Sequence, residues 1–214
     1  MAPSNATLVL TACALATAVL ATWSQVRSRL RLHYVTKPLT TGLIIAAAAV
    51  AAAPVPAAYK TLVLAGLAFS LLGDVALMFP DKWFQAGLVA FLAAQIMYIL
   101  AFRPRAGQTV SPMTFLPFVL YGLLMFFLLA PKLGPMKVPV FVYIAAIVTM
   151  AGFAAARYVD RGGPKPLLAF LGAVLFLVSD SVLAYDRFAR KVPGARVLVL
   201  GTYFPAQLLI ALSV

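Results

Sequence analysis

Two aspartates stand where a carboxylate is costly. Asp74 lies in "LLGDVALMF" and Asp180 in "LFLVSDSVLAY", each preceded by a small residue and followed three positions later by Leu. An ionisable residue inside so apolar a segment marks a functional site by default. Two such carboxylates brought together cannot both ionise cheaply, so one keeps its proton beside an ionised partner. That combination suits acid-initiated hydrolysis, in which one Asp gives a proton while the other polarises water. The residues leave other uses open: a proton relay in a transporter or exporter of a lipid-like molecule, an enzyme acting on another lipid bond, or an internally satisfied structural pair.

Other chemistries lack their donors. Cys13 and His33 are the sole Cys and His of the chain and lie in different segments, so the usual nitrogen and sulfur ligands of zinc are missing. A Ser–His–Asp triad has no histidine outside the first connection, and no glycine-rich phosphate loop is present. No cofactor and no metal is expected.

The elements that must position these aspartates follow from composition. Of 214 residues 64% are hydrophobic and 10% charged, and mean hydropathy is +1.02. A soluble domain is about a quarter charged, so an all-α, polytopic membrane protein is expected, with 1–214 as a single transmembrane domain. Apolar runs read against Pro, Gly and basic breakers predict eight spans, at 6–24, 38–55, 59–79, 83–102, 114–130, 138–156, 166–185 and 196–213. The formal net charge of +12 comes from 17 Lys and Arg against five Asp. These cations sit between the apolar runs, where topology and anionic membrane lipids account for them and nucleic acid is not needed. The larger share falls on the first, third, fifth and seventh connections, which predicts those loops in the cytoplasm and both termini outside. The "MAPSNATLVL" start lacks a basic stretch and reads as a retained first span.

On these boundaries Asp74 and Asp180 both lie roughly 8 Å in from the cytoplasmic ends of the third and seventh spans. Those spans occupy equivalent places in two four-helix halves, the pattern of a 4+4 parallel repeat. Further polar residues fall near the same layer: Tyr143, Tyr203, Gln207 four residues beyond Tyr203, Ser70 four before Asp74, and Ser179. Gln95 and Tyr98 lie deeper, and Lys37 in "TKPLTT" stands at the mouth where the second span begins. Each has an ordinary explanation as well: an aromatic belt for the tyrosines, cross-helix bonding for Ser and Gln, an interfacial anchor for Lys37 and His33. Asp81, Asp160 and Asp186, at loops or helix ends, read as solvated interfacial charge.

Five blocks, "KPLTT", "GLAFSLLGDVALMF", "GLVAFLAAQIMYILAF", "LFLVSDSVLAYDRF" and "TYFPAQLLIAL", resemble in order the pattern of the YhhN-like lysoplasmalogenase family, from about Lys37 to the C-terminus. The resemblance implies an eight-helix membrane fold, in a bacterial inner membrane or an endoplasmic-reticulum-type membrane. It implies hydrolysis of the vinyl ether bond of lysoplasmalogens, with a lysophospholipid as substrate and a fatty aldehyde and a glycerophospho-base as products. The family's "GD" falls on Gly73–Asp74 and its "SD" on Ser179–Asp180. Where the family often has His, this chain has Gln95, an amide that does not titrate. The implied reaction protonates the β-carbon of the vinyl ether, and water then captures the oxocarbenium ion.

Overall fold

The computed structural model describes residues 4–52, 55–104 and 109–214; the side chains of Pro80 and Asp81 lie outside that description. It is built from α-helices: α1 Asn5–Val26, α2 Leu30–Val50, α3 Ala57–Ala76, α4 Pro80–Phe102, α5 Leu116–Leu129, α6 Lys137–Arg161, α7 Pro164–Ala184 and α8 Ala195–Leu212. Six segments, those of α1, α3, α4, α6, α7 and α8, are long and apolar enough to cross a membrane. Outside that set are α2, whose early turns carry Arg31, His33 and Lys37, and α5, with 14 residues.

Polarity is inverted relative to a water-soluble bundle. Ser70, Asp74, Gln95, Ser179 and Gln207 are buried, while Leu120, Leu124 and Phe127 of α5 and Val19 of α1 face outward. Hydrocarbon solvates those apolar faces, and polar groups find partners only inside. Consecutive helices pair most extensively, α1 on α2, α3 on α4 and α7 on α8. Around the centre α8 also meets α2 and α3, and α4 meets α6, which in turn meets α7. α1 lies outside α2 and α8, and α5 lies outside α6. Small residues bring backbones together: Ala14 and Ala21 on α1, Ala47 and Ala48 on α2. Gly66 of α3 lies where a β-carbon would collide with the Tyr98 ring.

Of the boundaries that differ from the sequence reading, two bear on the site. Pro38 suggests a helix start, yet α2 begins at Leu30 and carries Pro38 within it. Proline costs a helix one internal hydrogen bond, which packing here offsets. The chain reverses tightly between α1 and α2 through Ser28, at φ +53°. His33, read as a residue of the first connection, and Lys37, read as standing at the mouth of the second span, therefore lie within a helix and are buried. His33 Nδ1 lies 3.2 Å from the carbonyl of Ala21 on α1. The second difference is at α3, which ends at Ala76 rather than 79, so Asp74 occupies its last turn. Asp180 is four residues before the end of α7, and a π-helical turn, Tyr185–Ala189, continues it.

Candidate functional site

Asp74 is held from three directions. Its Oδ2 accepts hydrogen bonds from Thr41 Oγ1 of α2 at 2.6 Å and from the Tyr203 hydroxyl of α8 at 2.7 Å. Its Oδ1 forms an ion pair with Lys37 Nζ at 3.2 Å, and the same ammonium donates to the Asp74 carbonyl at 3.3 Å. That carbonyl is in the last turn of α3, where the helix leaves its acceptors without an intrahelical partner. Lys37 thus joins a cation to a helix C-terminus and a carboxylate at once. Lys37 and Thr41 are four residues apart and share a face of α2, which is why both reach Asp74.

One turn along α3 and α8 the sequence's Ser70 and Gln207 meet. Gln207 Nε2 donates to Ser70 Oγ at 3.0 Å, and the Tyr98 hydroxyl of α4 donates to Gln207 Oε1 at 2.7 Å. These three cross-link α3, α4 and α8 beneath Asp74 without touching it. Ser179, despite its place in "SD", donates to the Val199 carbonyl at 3.1 Å and so ties α7 to α8.

Asp180 has a separate set of partners. Tyr143 of α6 donates to its Oδ2 at 2.5 Å, and Gln95 Nε2 of α4 donates to the same oxygen at 3.3 Å. Both bonds fall on Oδ2, and Asp180 also lines a pocket. That pocket is narrow, about 60 Å³, and apolar, walled by Leu88, Phe91, Leu129, Ile147, Leu177 and their neighbours. Gln95 Oε1 is buried without a hydrogen-bond partner. The position that resembles a family histidine is therefore the immediate neighbour of Asp180, and the amide supplies a donor there.

No hydrogen bond joins the two carboxylates among the described residues. Phe91 stands between their surroundings. Its ring packs edge-on against Tyr203, centroids 5.7 Å apart, and against Phe176 at 6.1 Å, and it lines the Asp180 pocket. The arrangement is two carboxylates, Asp74 buried and Asp180 partly so, each met by donors from neighbouring helices; among the described residues a cation pairs with Asp74 and none lies in ion-pair range of Asp180.

Beside Lys37 opens a larger cleft of about 660 Å³. Leu77, Phe84 and Leu183 line both this cleft and the apolar pocket, so the two share a wall. Sequence reasoning missed Thr41 and the contribution of His33 to this cleft. Both would have followed from running α2 back through Pro38, since His33, Lys37 and Thr41 then form an i, i+4, i+8 stripe. Among the described residues no cluster of three His, Cys or Asp could hold a metal ion.

The chain is 37% identical over 159 residues to the protein named lysoplasmalogenase TMEM86A of Bos taurus, covering 72% of this chain and 65% of that protein. It is 36% identical over 160 residues to lysoplasmalogenase TMEM86A of Homo sapiens, with 72% and 65% covered. It spans about 65% of the length of these mammalian relatives. To the protein named uncharacterized membrane protein YhhN of Escherichia coli O157:H7 it is 30% identical over 183 residues, covering 85% of this chain and 86% of the other. No solved structure matches. Residues 32–214, which run from the start of α2 and carry both aspartates with every partner described above, match the YhhN family: the chain belongs to that family, as an integral, multi-pass membrane protein.

Proposed function

We propose that the protein is a membrane-embedded hydrolase that cleaves the vinyl ether bond of lysoplasmalogens. The observation that carries this reading is the shared wall at Leu77, Phe84 and Leu183, which sets a basic cleft against an apolar pocket containing Asp180. A lysophospholipid has the same polarity along its length. Its phosphate sits by Lys37, its glycerol crosses the shared wall, and its alkenyl chain enters the apolar pocket. The names of the mammalian relatives support the same substrate class.

In this reading the two aspartates divide the work. Among the described residues Asp180 has neutral donors and no cation in ion-pair range, and it lines the pocket that would take the chain. It transfers its proton to the β-carbon of the vinyl ether, so the carboxyl O–H and the C=C π bond break and a C–H bond forms. The Tyr143 hydroxyl and Gln95 amide hold the carboxylate that results, and that negative charge stabilises the adjacent oxocarbenium ion. Water adds to the cationic carbon and returns a proton to Asp180. The hemiacetal then collapses to a fatty aldehyde and the free glycerophospho-base. Asp74 remains the ionised partner, which fixes the Lys37 ammonium at the head of the site. No cofactor takes part.

The reading extends to topology. Residues 1–214 form one transmembrane domain in which all eight helices span, the cleft opens to the cytoplasm and both termini lie outside. A 4+4 repeat is supported by packing and by partners: α2 meets α8 as α6 meets α4, and each aspartate draws a neutral donor from each member of its pair, to which α2 adds Lys37 for Asp74.

Release of fatty aldehyde from lysoplasmenyl-ethanolamine by the purified protein tests the function, and failure to release any, with substrate bound, would favour a transporter. Lys37 gives a finer test. Lys37→Ala should raise KM for the phospholipid about tenfold or more, and KM for an uncharged vinyl-ether glycerol by much less. An equal change for both substrates would place the phosphate elsewhere.

A further inference from the structure

We propose that the groove between α1 and α8 is a second hydrocarbon site, which seats the chain of a lysophospholipid whose head group lies in the cleft. This rests on the lysophospholipid reading above for the class of lipid, and adds a place where that lipid binds away from Asp180. The groove measures about 430 Å³ and is walled by Leu15 and Val19 of α1, Ile44 of α2, and Gly201, Phe204 and Leu208 of α8. Asp180 is not among its lining residues.

Polarity, length and position name the occupant. Thr22 and the Trp23 indole supply the only polar side-chain atoms of the lining, and the Thr22 hydroxyl already donates to the Ala18 carbonyl at 2.9 Å. The groove therefore offers a ligand little but close packing, which suits a hydrocarbon chain. Its lining runs from Ala14 to Val26 along α1, about 18 Å at the helical rise. A chain of one leaflet crosses half of a hydrocarbon core about 30 Å thick, so the two lengths agree. Trp23 marks the interfacial end, because an indole favours head-group level, and the Arg29 guanidinium stands 5.1 Å from its centroid.

That end is where the groove meets the cleft. Leu200 lines both, and Val26 of the groove follows Gln25 of the cleft. A lipid with its phosphate at Lys37 thus has a second direction for its chain, past Leu200 rather than across the wall of Leu77, Phe84 and Leu183. Gly201 keeps this direction open. Glycine weakens a helix interior, yet a β-carbon here would meet nothing within 4 Å, so no close helix contact asks for it. What the missing side chain provides is room in the groove.

Trp23 reads the groove directly. It and Trp83 are the two tryptophans of the chain, so Trp83→Phe leaves one reporter. The full-length Trp83→Phe protein in non-ionic detergent is titrated with a saturated 1-O-alkyl lysophosphocholine carrying mid-chain bromines, a collisional quencher with no vinyl ether to cleave. Quenching of Trp23 should saturate, and the unbrominated lipid should reverse it. Adding Gly201→Phe should raise the half-saturating concentration about tenfold or more, because the ring displaces several chain carbons. Gly201→Ala should leave it within about twofold. Quenching that grows linearly with brominated lipid, and equally in Gly201→Phe, is ordinary contact with surrounding lipid and overturns the proposal. So does stronger saturable quenching by a brominated diacyl phosphocholine, or a dimer by light scattering that Gly201→Phe dissociates, since a two-chain lipid or a second copy then fills the groove. Aldehyde release from lysoplasmenyl-ethanolamine without saturable quenching removes the groove alone and leaves the hydrolase reading standing. Saturable quenching without aldehyde release keeps the groove and defeats the hydrolase reading instead.

Discussion

Replacing Asp180 with Asn should reduce aldehyde release about 10²–10⁴-fold, the usual loss when a general acid is removed. The amide is nearly isosteric and its oxygen still accepts from Tyr143 and Gln95, which now meet at Oδ2. The bundle therefore keeps its packing, and the variant should elute and melt as the parent does. What it loses is the carboxyl proton at the apolar pocket. Single-turnover measurement with saturating lysoplasmenyl-ethanolamine would assign the loss to the chemical step and not to binding. Activity within a few-fold of the parent would place the proton donor elsewhere.

Asp74→Asn should fail in a different manner. Thr41 and Tyr203 retain an acceptor, but the buried Lys37 ammonium loses its counter-ion. Breaking one side of a buried pair costs about 3–5 kcal/mol because the other charge is left alone. We expect a lower melting temperature in detergent and a KM for the phospholipid raised roughly 10–100-fold as Lys37 moves toward the cleft. A second variant separates the two effects. Asp74→Asn/Lys37→Met removes both charges, so it should recover most of the heat stability while phospholipid KM stays high. If Asp74→Asn melts and binds as the parent does, the ion pair is not the anchor of the site.

Much of this was legible in the residues, for physical reasons. Six of the eight helices announce themselves as apolar runs because hydrocarbon admits few alternatives. Asp74 and Asp180 stand out because a carboxylate in such a run needs partners, and the polar residues singled out around them are those partners or their immediate neighbours. Their grouping was not legible. Depth alone placed Asp74, Asp180, Tyr143 and Tyr203 in one layer, whereas helix rotation divides them, Tyr203 to Asp74 and Tyr143 to Asp180. Ser70, Tyr98 and Gln207 form a chain of their own, and Ser179 turns to a backbone carbonyl. The start of α2 was hidden by Pro38, whose local preference is overridden by burial of the helix face that carries His33, Lys37 and Thr41.

The two letters of the "GD" pair answer to different needs. A β-carbon at Gly73 would sit 2.6 Å from Cε2 of Phe91, so the bare α-carbon is what lets that ring settle beside Asp74. The ring is an insulator. Packed against Tyr203 and lining the pocket of Asp180, it keeps an apolar strip between the Lys37–Asp74 ion pair and the carboxyl that, on the proposed mechanism, gains and loses a proton in every cycle. Were the strip wet, the Lys37 charge would reach Asp180 through solvent, and each catalytic proton would be offered a path out to the cleft. In the proposed cycle a glycine with no chemistry of its own would thus help send the proton to carbon rather than to bulk water.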